Sequence, residues 1–204
     1  MRKITVGLFI SLDGVVHEPG EWHFPYFNDE MGEAVGGQLG AVDTMLLGRK
    51  TYDSFAGAWP DREEAGGEDA DFAKKIGDAR KIVVSNQQLS FTWRNSEQLQ
   101  GDLVEAVTAL KNEPGGDIGM SGSISIVRQL LDAGLLDELH LLVHPIAVRK
   151  GMRLFDEADT TMPLTLLSSE TFETGVLYLV YGRAESAPEG GYDEAKAQLP
   201  QADE

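Results

Sequence analysis

Met45-Leu46-Leu47-Gly48-Arg49-Lys50-Thr51-Tyr52 is an apolar run that stops at a glycine and continues through a cation pair and a threonine into a helical pattern. It reads as a strand turning into a helix. At such a turn the first N–H groups of the helix have no intrahelical partner, and the helix dipole favours an anion. Gly48 permits close approach, and Arg49, Lys50 and Thr51 offer groups for phosphate oxygens. The same residues also read as a plain strand–turn–helix with a surface arginine, so the neighbouring segments decide.

Outward from this stretch, apolar runs at residues 3–10, 44–48, 81–85 and 117–120 each end in Gly, Ser or polar residues, as short parallel strands do. Helices are expected at 29–39 behind an Asn28 cap, at 50–55, over Leu103, Val104, Ala106, Val107 and Leu110, and over Ile124, Val127, Leu130 and Leu131, with Gly134 as the stop. Beyond Gly134 the pattern changes to strand-like runs at 138–147, 164–172 and 176–184, the last two joined by Glu173-Thr174-Gly175 as a hairpin. The expectation is an α/β body whose parallel sheet ends in an antiparallel C-terminal edge.

Two further strand ends repeat the chemistry of the first. Gly119-Met120-Ser121-Gly122-Ser123-Ile124 brings small residues to the start of a helix, where a diphosphate can lie against backbone N–H groups. The run from Lys81 to Val84 ends in Ser85-Asn86. Open α/β sheets bind ligands at the carboxyl ends of their strands, and all three segments lie there.

Composition sets the limits. The 204 residues include no cysteine and 34 acids against 17 bases, a formal charge of −17. The absence of cysteine excludes a disulfide framework, a thiolate zinc site and a cysteine nucleophile, and the acidic balance disfavours nucleic acid and membrane surfaces as partners. A cytoplasmic protein without a membrane segment is expected. Residues 61–71 hold six acids and two glycines around Arg62 and read as a solvated loop, and residues 185–204 read as an acidic tail.

The succession of Ser11-Leu12-Asp13-Gly14, Gly48-Arg49-Lys50-Thr51-Tyr52, Lys81 to Ser85, Gly119 to Ser123 and Gly151-Met152-Arg153-Leu154-Phe155 resembles the dihydrofolate reductase-like superfamily. It is most similar to the branch of the C-terminal reductase domain of the bifunctional riboflavin-biosynthesis deaminase/reductase. The likeness spans residues 3–184. It implies a three-layer α/β/α domain over 1–184, a mostly parallel eight-stranded sheet, and a cleft for NADPH. By the likeness, Gly48, Arg49, Lys50 and Thr51 hold the adenosine phosphates. Ser85 and Asn86 lie beside the adenine ribose, Gly119, Ser121, Gly122, Ser123 and Ile124 belong to the diphosphate turn, and Leu12, Asp13 and Gly14 edge the nicotinamide. An arginine beside a 2′-phosphate favours NADP over NAD.

The implied activity is NADPH-dependent reduction of a small heterocyclic or carbonyl substrate, by analogy a phosphoribosylamino-uracil of riboflavin synthesis. The competing readings are a non-catalytic NADP-binding module and a true dihydrofolate reductase. Against the latter, Trp22-His23-Phe24-Pro25-Tyr26-Phe27 is similar to the Trp-x-x-Pro-x-acid stretch of folate reductases, yet Phe27 stands where the pterin-binding carboxylate belongs. Asp29 and Glu30 suit the first turn of a helix. Asp13 is the candidate catalytic polar group, a solvent-facing turn aspartate being the alternative.

The aromatics of residues 22–27 either wall a flat ring or pack at a lid or interface. His17 and His23 are expected at the cleft or surface. His140 and His144 lie four apart on a strand, roughly 13 Å, too far for one metal, and no metal site is expected. Leu135, Leu136, Leu139, Leu141 and Val143 allow either a homodimer interface or a central strand covered on both faces.

Overall fold

In chain order the computed structural model, which describes residues 1–187 and 190–192, has β1 (Ile4–Ser11), α1 (Asp29–Gln38), β2 (Val42–Gly48), α2 (Arg49–Ala56), α3 (Trp59–Ala65), α4 (Ala70–Asp78), β3 (Arg80–Val84), β4 (Ser96–Gln98), α5 (Leu103–Asn112), β5 (Asp117–Ser121), α6 (Ile124–Asp132), β6 (Glu138–His144), β7 (Leu164–Thr171) and β8 (Leu177–Arg183). The eight strands form one sheet in the order β4-β3-β2-β5-β1-β6-β8-β7. Neighbours from β4 through β6 pair in parallel, while β8 is antiparallel to both β6 and β7.

The alternation of side chains along each strand sends its apolar residues to two helical layers. Ile4, Val6, Leu8 and Ile10 of β1 pack with Val107 and Leu110 of α5 and Val127 and Leu130 of α6. The opposite face is covered by α1 and by α2 with α4: Leu142 meets Met31, and Met45, Leu47 and Val83 meet Tyr52 and Ile76. Asn28 caps α1 by accepting the Met31 N–H, and Gly134 ends the last turn of α6 at φ +64°. The expected antiparallel C-terminal edge is present, with the β7–β8 turn at Glu173-Thr174-Gly175.

Three features go beyond or against the sequence reading. Residues 61–71 are not one loop: α3 and the start of α4 occupy them, separated by a turn with Gly66 at φ +67°. Their acids are solvated, but Phe72, Ala73 and Ile76 face the core, and Arg94 forks onto Glu63 at 2.7 and 2.9 Å while also binding Asp78. A second is β4, whose Ser-Glu-Gln sequence carries no apolar signal and which pairs only along β3. Thirdly, β6 is no dimer face. Its two edges are taken by β1 and β8, and Leu139, Leu141 and Leu142 are buried, so the covered-strand reading holds. Uncovered apolar residues of the C-terminal edge lie on β7, where Leu166 and Leu167 are 50% and 55% exposed.

The acidic tail falls mostly outside the described residues. Among those residues, no helix is long and apolar enough to cross a membrane.

Candidate active site

The carboxyl ends of β1, β2, β3 and β5 meet along one edge of the sheet, where loop and helix starts converge. At β2, Gly48 precedes α2, whose first residues are Arg49, Lys50 and Thr51. At β5, Ser121 ends the strand and Gly122 and Ser123 take consecutive left-handed conformations, φ +61° and +55°, before Ile124 opens α6. Such a turn aims successive N–H groups to one side.

Ser123 ties the two turns together. Its hydroxyl accepts the Gly48 N–H at 2.8 Å and donates to Thr51 Oγ1 at 3.1 Å, so it serves the start of α2 rather than its own helix. Neither α2 nor α6 has a side-chain N-cap, whereas Asn28 caps α1 and Asp102 caps α5. The Gly48 N–H is therefore already engaged, and the open donors belong to the first turns of α2 and α6. Gly122 is held small by this junction: a Cβ there would lie 3.0 Å from Thr51 Oγ1.

Arg49 is exposed, hydrogen-bonded to Gln87 Oε1 and paired with Asp53 Oδ2 at 3.4 Å. The Gln87 contact brings it to the loop after β3, where Ser85 Oγ accepts the Gln87 N–H and Asn86 is exposed. Thus Gly48, Arg49, Lys50, Thr51, Ser121, Gly122 and Ser123 are brought together, and Arg49 reaches the loop of Ser85 and Asn86. Two of the expected residues differ. Gly119 sits within β5 between Thr5 and Met45, where a Cβ would lie 2.9 Å from Val42, and the Ile124 side chain belongs to the core, leaving its backbone at the turn.

After β1, Asp13 is a clasp. Its carboxylate accepts the Ser11 hydroxyl (2.6 Å), the Val148 N–H (3.0 Å) and the Arg149 N–H (2.9 Å), while its carbonyl accepts Arg153 Nε (3.0 Å). Ser11 foremost, with the two N–H groups, holds the carboxyl below the usual aspartate range, so it is ionised at neutral pH. Gly14, at φ +82°, accepts the Leu154 N–H, and Arg128 from α6 holds the Arg153 and Leu154 carbonyls. Leu12, Met152 and Phe155 stand exposed on this knitted pair of loops.

A buried aromatic group that sequence reasoning missed lies beside it. His144, paired in register with Ser11, and His23 are both buried, so His23 is not at the surface. Burial and the neighbouring His144 lower the His23 pKa to about 4. Phe27 is half-exposed. Glu30 accepts the Asn28 side-chain N–H and the Glu173 N–H, both on Oε2. The only advance signal was the density of aromatics at 22–27.

A sequence profile of the RibD C-terminal domain matches residues 2–178. The chain belongs to this family. RibD C-terminal domains are reductase-like.

Two Bacillus subtilis (strain 168) proteins are similar in sequence. YyaP, an uncharacterized protein, is 29% identical over 181 residues, covering 88% of this chain and 94% of its own. YwjB, also uncharacterized, is 24% identical over 189 residues, 90% of this chain and 99% of its own. Among solved structures, a candidate riboflavin biosynthesis protein from Shewanella sp. PV-4 superposes with a TM-score of 0.68 at 18% identity, covering 91% of this chain and all of that one. A pyrimidine reductase-like protein from Corynebacterium diphtheriae gives 0.62 at 17%, with 91% and 93% covered. Dihydrofolate reductase from Enterococcus faecalis, complexed with NADP(H) and RAB-propyl, gives 0.57 at 16%, with 90% and 97% covered. At these identities the likeness is one of fold.

Proposed function

We propose that this RibD-type domain is an NADPH-dependent reductase of a small heterocyclic or carbonyl substrate, related to the uracil reductases of riboflavin synthesis. The observation that carries the reading is the pair of helix N-termini, α2 and α6, open to an anion, joined through Ser123 and flanked by Arg49. The residues suit the cofactor: the left-handed Gly122-Ser123 turn, kept small at Gly122 by Thr51, would offer its N–H groups to acceptor oxygens of a diphosphate. NADPH, when bound, supplies the hydride.

The chain's own part is binding, orientation and exclusion of water. Arg49, with Lys50, Ser85 and Asn86 nearby, meets the 2′-phosphate; Thr51, Ser121, Gly122, Ser123 and the Ile124 backbone meet the diphosphate. Leu12 and Gly14 edge the nicotinamide. Asp13 is ionised and its oxygens are engaged, so it acts as a positioning residue that fixes the loop of Arg149 and Arg153 and does not donate the proton. A homodimer through the β7 edge accompanies this reading.

The test is a fluorescence titration of the cofactor against wild type and Arg49→Ala. NADPH binding is expected to weaken at least about tenfold, the scale of a charged hydrogen bond, and NADH binding much less, because only NADPH has the 2′-phosphate. Equal loss for both removes Arg49 from the phosphate site. Binding without oxidation across pyrimidine, pterin and carbonyl substrates would favour the non-catalytic module instead.

A further inference from the structure

Between β6 and β7 the chain runs from residue 145 to residue 163 without a helix or strand, apart from one isolated bridge between Val15 and Arg153. Its first part, 146–154, lies as a strap along the loop after β1. The Ile146 carbonyl accepts the Leu12 N–H at 2.8 Å, the Met152 carbonyl accepts the Val16 N–H at 2.9 Å, and the Leu154 N–H reaches the Gly14 carbonyl at 2.9 Å. Asp13 adds the Val148 and Arg149 N–H groups. Apolar packing gives the strap little hold, since of residues 145–163 only Leu154 is buried. Arg149, a non-glycine residue at φ +67°, adds a strained bend that specific contacts must keep in place.

The strap is tied to the body of the protein by one side chain of α6. Arg128 donates Nε to the Leu154 carbonyl at 2.9 Å, Nη2 to the Arg153 carbonyl at 2.7 Å and Nη1 to Asp156 Oδ2 at 2.6 Å. Three donors in one plane meet three acceptors of one turn, which a guanidinium can do and an ammonium cannot. The Arg128 side chain is only 26% exposed, so water competes weakly for these bonds.

α6 itself is fixed, with Ile126, Val127 and Leu130 buried in the main core. Arg128 stands one turn beyond Ile124, near the end of α6 that opens from the Gly122-Ser123 turn. Direct contacts therefore run from that turn through α6 and Arg128 to Arg153 and Leu154, and on to the Asp13 and Gly14 carbonyls. One end of this path is anchored in the core and the other depends on hydrogen bonds, so breaking it in the middle releases one side only.

We propose that Arg128 is a positioning residue: it fixes the strap to α6 and so holds Leu12, Asp13 and Gly14 in register with the Gly122-Ser123 turn, ready for a ligand that spans both. It touches no reacting atom. Taking that ligand to be NADPH rests on the reductase reading, in which the turn meets the diphosphate and the loop after β1 edges the nicotinamide.

Amide hydrogen exchange on the ligand-free chain tests the tie. Arg128→Met keeps the length of the side chain and removes its donors. The amides of Leu12, Val16, Val148, Arg149 and Leu154 should then exchange at least about tenfold faster, while those of the central strand β5 keep wild-type protection. Arg128→Lys, which keeps the charge and the fold, should fall between the two. Strap amides that keep their protection in either variant, or an acceleration that β5 shares, would overturn the positioning role.

Titration tests the register. NADPH should bind Arg128→Met about fivefold more weakly than wild type, because ordering the strap becomes part of binding. The fragment 2′-phospho-ADP-ribose, which lacks the nicotinamide, should bind both equally. Equal losses for the two ligands, or none for either, would overturn the link to the nicotinamide end. Failure of NADPH to bind wild type counts against the reductase reading instead, and the exchange comparison still decides the role of Arg128.

Discussion

His23 shows how one side chain ties burial to pH. Its folded-state pKa is lowered to about 4 by burial and then by His144, while an unfolded histidine titrates near 6.5. Between those values the unfolded chain binds more protons than the folded one, so stability rises with pH across that window and is lost on acidification through it. Burial lowers His140 and His144 in the same direction, and Glu138 against His140 opposes the effect there. The paired carboxylates Asp13, Asp43 and Asp78 are lowered too, but their loss comes at more acid pH, below the ordinary aspartate value. Urea unfolding at pH 7 and pH 4.5 should therefore show wild type losing more stability than His23→Gln, by no more than about 3 kcal/mol, because each tenfold difference in proton affinity between the folded and unfolded chain is worth roughly 1.4 kcal/mol. Equal losses would mean that the His23 ring is hydrated in the folded protein.

At the scale of elements, the starts of α2 and α6 are joined through Ser123. Ser123→Ala removes the acceptor of the Gly48 N–H and the donor to Thr51 together, which should cost about 1 kcal/mol of stability and loosen NADPH binding several-fold. Thermal melts with and without NADPH measure both, and an unchanged ligand-induced shift in Tm would separate the junction from the cofactor site. That each turn leads from a strand into a helix was legible in the sequence, because Gly-Arg-Lys-Thr and Gly-Met-Ser-Gly-Ser each follow an apolar run. That one serine joins them was not, since the contact spans 75 positions. The same limit explains the other gaps. β4 is a strand only because β3 lends it a ladder, and α3 and α4 are helices in an acidic stretch because Phe72, Ala73 and Ile76 find a core and Arg94 finds two acids. Lys81, at the start of a correctly read strand, is fully buried over Trp93 with its ammonium on the Gly77 and Ala79 carbonyls, an environment that no local pattern announces.

For the whole molecule the charge of −17 opposes self-association everywhere except where charge is sparse. β7 and β8 together carry one acid, Glu170, and one base, Arg183, and seven of the eight β7 residues are exposed. One edge of β7 pairs with β8 and the other pairs with no strand among the described residues. Edge strands that remain single usually carry a lysine, a proline or a short span as protection, and β7 has eight residues with neither residue type. A second copy related by a two-fold axis, pairing β7 antiparallel with β7, covers Leu166 and Leu167 on both chains and brings together surfaces that do not repel. The wild-type protein should therefore sediment at about twice its 22.2 kDa chain mass at micromolar concentration. Leu167→Lys should shift it to the monomer by placing a charge in the paired strands, with NADPH affinity unchanged within about twofold, because the turns proposed for the cofactor lie at β2 and β5. A monomeric wild type, or a Leu167→Lys dimer as tight as wild type, would remove β7 as the interface.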